Sequence, residues 1–431
     1  MGRFLIRRSQ GESELISMPM TSRTRKLTSS ISILGAALAL ASASFLSQAQ
    51  DAPAAAQTPA STVVTDVNGI AMVGDLSNVP APVLGARAWI SLDMNSGQVI
   101  AAQNIDERIE PASLTKVMAA YLVFEALENK RLTLEQTVHV SENAWRTEGS
   151  RMFIKPNSQV SVHDLLQGMI VQSGNDATVA LAEAIAGSES AFVALMNEEA
   201  QRQGLTNTKF TNSPGLPHEE HLTTVRDMAT LAANFINRFP QYLHYYTQKE
   251  YTYNNIKQNN RNRLLWADPT VDGLKTGHTK SAGYCLIATA KRDGRRILTV
   301  LVGAASDSAR AENSLKLLNW SFQNFDTVKL YDNERAMVTA RVWEGEAETV
   351  GLGSNSPVWV TVPRGKADQV RPVAKYQQPL IAPLSKGARV GEVSLSLDGH
   401  VLRTEALHVL NDVPQAGLIG RLYDKVRLLF E

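Results

Sequence analysis

Only one cysteine, Cys285, occurs in the 431 residues. An intramolecular disulfide is therefore excluded, and so is a metal site built on thiolates. A lone thiol of this kind reads as a small buried hydrophobe rather than a reactive group. Charge of either sign is also lacking in excess, since 43 Lys and Arg stand against 42 Asp and Glu for a net +1. With no block of like charge, nothing asks for a nucleic acid partner or a solvating tail. The apolar run Ile31 to Leu46 is too short for a comfortable membrane span. No internal repeat is visible. What remains is a chain with 44% hydrophobic and 20% charged residues, long enough for two or three domains with real cores.

The apolar run has its own context. Arg23, Arg25 and Lys26 precede it, and Ser47-Gln48-Ala49 closes it with small residues. This is the pattern of a secretory signal cut after Ala49, with an uncleaved anchor as the competing reading. The leader is long, so translation starting at Met18 or Met20 rather than Met1 fits the pattern better. Residues 1–49 are thus expected to be a signal segment, and the Ala/Thr/Pro/Val-rich stretch 50–78 a disordered linker.

Beyond it, Ala86 to Leu92 and Val99 to Ala102 flank the turn Asn95-Ser96-Gly97-Gln98, which predicts a β-hairpin. Helical patterns then dominate from Pro111 to about Phe239. Strands return at Tyr284 to Lys291 and Arg296 to Val302, joined by Asp293-Gly294. A helix over Ser308 to Phe325 closes the region. This order predicts an α+β domain over 79–326, with helices on a mostly antiparallel sheet. Alternating segments Val358 to Val362, Val390 to Leu397 and Val401 to Thr404 predict a small all-β domain over 327–412. The segment 413–431 places Leu418, Ile419, Leu422, Val426, Leu429 and Phe430 on one side of a helix and Arg421, Asp424, Lys425 and Arg427 on the other. Such a helix suits a membrane interface, or else docks on the domain as an ordinary surface helix.

Three short strings carry chemistry: Ser113-Leu114-Thr115-Lys116, Ser173-Gly174-Asn175 and Lys275-Thr276-Gly277. Each alone is weak, and the first reads equally as an ordinary helix start. In this order they describe a serine acyl-transfer site in which a lysine manages the serine proton. Residues three apart share a helix face, so Ser113 and Lys116 meet. A serine needs a neighbour to take its proton, and a lysine does so only when neutral. Burial and a second cation both lower a lysine pKa, which assigns Ser113 as nucleophile, Lys116 as general base and Lys275 as its electrostatic partner. Gly174 permits a tight loop aiming Ser173, a proton relay, and the Asn175 amide inward. Gly277 lets a substrate backbone approach, and the N–H groups of Ser113 and His278 suit an oxyanion hole. His278 is not needed as a base. The chemistry calls for no metal and no cofactor.

With these motifs the chain resembles the serine penicillin-recognising enzymes. It is most similar to the low-molecular-mass penicillin-binding proteins that are D-alanyl-D-alanine carboxypeptidases, the S11 peptidases. Pro111 to Lys116, Ser173 to Ala177, Asp272 to Thr279, Asn260-Arg261-Asn262, Leu264-Leu265-Trp266 and Ala309 to Glu312 all read as that family. The resemblance implies a β-lactamase/DD-peptidase-like catalytic domain and removal of the terminal D-alanine from peptidoglycan stem peptides through an ester on Ser113. It implies Arg261 and Arg310, helped by Thr276, as partners of the substrate carboxylate, although each arginine alone reads as a surface charge. It also implies β-lactams as covalent inhibitors and a place at the periplasmic face of the cytoplasmic membrane. Ser213-Pro214 stands where relatives often carry His, and Thr178 where some carry Cys. A class A β-lactamase has Asp at the position of Gly174 and a deacylating glutamate, for which no convincing motif occurs here. A muropeptide endopeptidase of the same fold and a catalytically idle wall-binding protein are the competing readings.

Overall fold

The computed structural model describes residues 71–430. The expected signal segment, the possible start methionines and most of the linker lie outside the described residues. Residues 71–78, expected to belong to the disordered linker, are folded. Ala71 donates to the Val401 carbonyl at 3.0 Å, and Val73 on the turn Val73–Leu76 is fully buried. A Cβ on Gly74 would meet the Ile100 carbonyl at 2.7 Å, so that stretch is pressed onto the first hairpin.

The first half of the described residues is built on a five-stranded antiparallel sheet. Its order is Val99–Gln103, Ala88–Asp93, Arg295–Ala304, Gly283–Arg292 and Val271–Thr279. The expected Asn95 to Gln98 and Asp293-Gly294 turns join the predicted strands. On one face lies the helix Asp307–Asn324, packing Leu317 and Leu318 against Trp89 and Leu301. The other face carries the helical region, whose centre is Lys116–Glu128. That helix is buried on nearly every side, as its run of Val, Met, Ala, Tyr, Leu and Phe dictates. Around it, Phe124 stacks on Tyr242 at 4.3 Å and meets Phe235 and Phe239.

Helix starts follow local chemistry. Ser161, Ser188, Thr224 and Ser306 each accept a first-turn N–H, and each is followed by an acidic residue within that turn. The side-chain oxygen satisfies one of the orphan donors, and the acid meets the positive end of the helix dipole. One strand pair, Thr137–His139 with Gln159–Ser161, interrupts the region read as helical, and a hairpin, Glu250–Tyr253 with Ile256–Asn259, follows it.

The helix Asp307–Asn324 runs directly into the strand Phe325–Tyr331, which pairs with Val358–Pro363. A six-stranded sheet follows, in the order Arg371–Tyr376, Arg389–Leu397, His400–Val409, Thr349–Gly353, Val338–Trp343 and Leu380–Ile381. Between the two halves lies a buried polar knot. Asp93 Oδ2 accepts from Arg295 Nε and from Thr327 Oγ1, both at 2.6 Å, while its Oδ1 accepts from the Asn95 and Ser96 amides. Ser96 Oγ lies 2.6 Å from Thr361 Oγ1, and the Thr361 amide donates to Gln98 Oε1 at 2.7 Å.

The final helix spans Leu418–Leu428. Its polar side meets the β-rich half, where Asp424 Oδ2 accepts from the Glu344 amide at 2.7 Å and Lys425 lies 3.9 Å from Glu344. Its apolar side faces away: Leu418, Ile419, Leu422, Val426, Leu429 and Phe430 are 51 to 88% exposed. A helix docked through its apolar stripe is therefore not what forms. No single described helix is long and apolar enough to cross a membrane.

Removing one partner of a buried ion pair leaves the other uncompensated. The substitution Asp93→Ala, which takes the buried carboxylate away from the part-buried Arg295, is expected to lower stability by about 3 kcal/mol. Urea unfolding followed by circular dichroism measures it, and an unchanged midpoint is the contrary result.

Candidate active site

Ser113 sits on the 3-10 turn Ala112–Thr115, which runs without a break into the helix beginning at Lys116. The change of helix type leaves the two side chains on one face, with Lys116 Nζ 3.1 Å from Ser113 Oγ. The amine is buried and has two further neighbours, Asn175 Oδ1 and the Pro214 carbonyl, each at 2.7 Å.

Ser173 and Asn175 come from the turn between the helices Val162–Ile170 and Asn175–Ala186. The left-handed residue of this turn is Ser173, at φ 65°, whereas Gly174 has φ −59°. The glycine is needed for space instead of conformation. A Cβ there would crowd Asp176 Oδ1 at 2.9 Å, the Met152 amide at 3.1 Å and the Gly168 carbonyl at 3.2 Å. The Asn175 amide group is fixed at both ends, because its Nδ2 donates to the Glu148 carbonyl at 2.6 Å. Buried Asp176 gathers the amides of Met152, Phe153 and Ile154 and so holds the loop that wraps this turn.

Lys275, Thr276 and Gly277 lie on the edge strand Val271–Thr279. Lys275 Nζ reaches Ser173 Oγ and the Thr276 carbonyl, both at 2.9 Å. A Cβ on Gly277 would lie 3.3 Å from the Ala112 Cβ, the Leu114 amide and the Pro111 carbonyl. The strand is thus pressed directly on the turn that carries Ser113. His278, one residue on, is exposed and its ring lies 4.0 Å from that of Tyr284.

The two arginines differ. Arg261 is exposed, on the loop before the short helix Leu264–Ala267. Arg310 is only 5% exposed. Its guanidinium is turned to the carbonyls of Gly277, Cys285 and Arg261 and to the Asp307 carboxylate. The expectation that both meet a substrate carboxylate therefore changes. Arg310 is committed to holding the end of the Lys275 strand and the Arg261 loop, and Arg261 is the exposed cation of the two.

Burial governs the amines. It pulls Lys116 down to about 7, with the Arg261 charge lowering it further and the Asp176 carboxylate opposing. Lys275 is held well below the ordinary lysine range, first by burial and then by the charges of Lys116, Arg261 and Arg310. Burial is the first cause for both amines, and the repulsion between Lys116 and Lys275 disfavours charging the two together. Burial also pushes the Cys285 thiol up to about 11, in keeping with an inert core cysteine.

Sequence reasoning missed the Pro214 carbonyl, a backbone atom with no side-chain signature. The dipeptide Pro214-Gly215 was its one trace. Gly215 has φ +88°, and a Cβ on it would lie 1.9 Å from the Ala112 carbonyl oxygen. Only a glycine brings that loop against the Ser113 turn.

Comparison with known proteins agrees with this arrangement. The family model described as D-alanyl-D-alanine carboxypeptidase (peptidase S11) matches residues 76–306, and that of the penicillin-binding protein 5 C-terminal domain matches 325–415. The carboxypeptidase DacC of Escherichia coli K12 is 43% identical over 360 residues, which cover 82% of this chain and 90% of that protein. The crystal structure of penicillin-binding protein 5 from Haemophilus influenzae superposes with a TM-score of 0.76 at 41% identity, covering 78% of this chain and all of the other. The ampicillin-bound form of penicillin-binding protein D2 from Listeria monocytogenes matches at TM-score 0.53 and 30% identity, over 57% of this chain and 100% of that one. The chain belongs to the D-alanyl-D-alanine carboxypeptidase family, the S11 peptidases.

Proposed function

We propose that the chain is a serine-type D-alanyl-D-alanine carboxypeptidase in which Ser113 is the nucleophile and neutral Lys116 its base. The observation that carries this reading is the set of partners around Lys116 Nζ. A neutral amine has two N–H bonds and one lone pair. Asn175 Oδ1 and the Pro214 carbonyl are pure acceptors and take both N–H bonds. The lone pair is left for Ser113 Oγ, the one neighbour with a proton to give.

The reaction then follows. Ser113 Oγ attacks the carbonyl of the penultimate D-alanine of a peptidoglycan stem while its proton passes to Lys116 Nζ. The tetrahedral oxyanion lies against the amides of Ser113 and His278, on either side of the Gly277 contact. Collapse breaks the peptide bond, and the proton held on Lys116 is relayed through Ser173, which is hydrogen-bonded to Lys275, to the leaving amine of the terminal D-alanine, so that Lys116 is neutral again. Water, deprotonated by Lys116, then opens the ester and restores Ser113. Thr276 and Arg261 suit the terminal carboxylate, with Arg310 supporting both from beneath. A β-lactam offers the same carbonyl and carboxylate and acylates Ser113, as its likeness to the D-Ala-D-Ala end requires. This is a cell-wall role.

We place the protein outside the cytoplasm, at the periplasmic face of the inner membrane. The signal pattern and the outward apolar side of the helix Leu418–Leu428 support that reading.

Three outcomes are expected. Purified protein releases free D-alanine from a pentapeptide ending in D-Ala-D-Ala and leaves crosslinked dimers intact, and Ser113→Ala abolishes both this release and labelling by a fluorescent penicillin while the melting temperature holds. Dimer cleavage would instead support an endopeptidase, and rapid turnover of a chromogenic cephalosporin a β-lactamase. The acylation rate should rise with pH through about 7, because the competent Lys116 is the deprotonated one, and fall about tenfold per unit below it. Labelling rates measured across that range check the sign; a flat profile would remove the lysine from the base role. Deleting residues 417–431 should leave activity on soluble peptide intact and move the protein from the vesicle pellet to the supernatant. Retention in the pellet assigns the anchor elsewhere.

A further inference from the structure

His221 lies outside the three motifs, yet it is 1% exposed and sits between two segments that meet at Lys116. Its Nδ1 is 3.1 Å from the Thr211 amide nitrogen. A backbone N–H can only donate, so Nδ1 is the unprotonated acceptor and Nε2 carries the hydrogen. Nε2 lies 2.9 Å from Thr115 Oγ1, to which it donates. Burial, reinforced by the nearby His218, lowers the imidazole to about 4, so it stays neutral and keeps this tautomer across the working range.

Each end of the ring bears on one side of the Lys116 amine. Thr115 is the residue just before Lys116, on the turn that carries Ser113. Thr211 opens the loop whose next residue, Asn212, folds it: Asn212 Oδ1 accepts from the Gly215 and Leu216 amides at 2.8 Å, and its Nδ2 donates to the Leu216 carbonyl at 3.0 Å. That folded loop presents the Pro214 carbonyl to Lys116 Nζ. The segment holding His221 is itself pinned, with Leu222 bridged to Lys209 and Thr223 to Ile109.

We propose that His221 is a positioning residue for the acyl-transfer reaction: its neutral imidazole clamps the Ser113–Lys116 turn to the Thr211–Leu216 loop and thereby aims the lysine lone pair at the serine. The inference rests on the reading of Lys116 as base given above. It requires no contact between His221 and substrate. Loss of the clamp therefore acts on the chemical step and leaves substrate affinity alone.

The test separates binding from acylation by a fluorescent penicillin, with D-alanine release measured alongside. His221→Ala is expected to slow acylation at least about tenfold with non-covalent affinity unchanged within about twofold. The groups facing Lys116 are Ser113, Asn175, the Pro214 carbonyl, and the charges of Lys275, Arg261 and Asp176. None of these is altered, and a loosened loop relieves the burial that lowers the amine, so the acid limb of the rate profile moves to higher pH. His221→Gln keeps an N–H toward Thr115 and a carbonyl toward Thr211 and restores most of the rate. A His221→Ala protein that melts like the unmodified one and acylates at its rate overturns the proposal, as does a folded His221→Gln no faster than the alanine variant. Should His221→Ala not fold, Thr115→Val removes the same hydrogen bond from the other side, and a normal rate in that variant is equally fatal. Absence of acylation at Ser113 in the unmodified protein would instead sink the carboxypeptidase reading, and this inference with it.

Discussion

The buried amine of Lys116 is the constraint around which the catalytic half is organised. Taking an ammonium-sized group out of water costs several kcal/mol even after relaxation, unless polar partners replace the solvent. Here the partners come from three distant parts of the chain: Ser113 on its own turn, Asn175 on the second motif and Pro214 on a loop. None of them carries a charge. The environment therefore accommodates the neutral amine far better than the ammonium, which is the form that can accept a proton from serine only after losing its own. The same geometry solves a packing problem and suits the amine to the proposed role of base.

The neighbouring pieces exist to keep that nitrogen's surroundings in place. Asn175 is held by the Glu148 carbonyl, and the loop that supplies it is held by Asp176. Gly215 and Gly277 bring two separate backbones against the Ser113 turn at distances no side chain tolerates well. Arg310 gathers the carbonyls of Gly277 and Arg261 from below. Reactive groups here sit on a short 3-10 turn, a helix start and a strand, with backbone contacts locking each. A site so fixed needs little rearrangement as charge moves from serine to the oxyanion, which is how preorganised dipoles lower a barrier.

Much of this was legible in the residues. The order of Ser113–Lys116, Ser173–Asn175 and Lys275–Gly277 predicts which side chains converge, and turn residues such as Asp293-Gly294 mark the sheet hairpins. What escaped falls into two physical kinds. The first is backbone chemistry: the Pro214 carbonyl and the amides on Asp176 belong to groups every residue has, so no residue type announces them. The second is context. Arg310 and Arg261 look alike in sequence, and only tertiary packing sets one beneath the strand and leaves the other exposed. Likewise nothing in the sequence around Lys275 announces the burial that lowers its amine. The paired strands Thr137–His139 and Gln159–Ser161 are too short for a period-two pattern to emerge from the surrounding helical signal.

The link between the two halves extends the same logic beyond the site. Apolar interfaces tolerate sliding, because burial is nearly indifferent to direction. Hydrogen bonds are not, and a polar group left without its partner in a buried place is penalised. The contacts of Asp93 with Arg295 and Thr327, and of Ser96 and Gln98 with Thr361, are directional and buried. Small rotations at this junction would break several of them together. The polar side of the final helix is tied in turn to Glu344 on the β-rich half. Arg403, on the strand His400–Val409, donates to the Ser96 carbonyl, and the ladders from that strand to Val338–Trp343 carry directional contacts on toward Glu344 and the helix whose apolar side faces outward. If that helix lies in a membrane surface, hydrogen-bond geometry sets the orientation of the site above it.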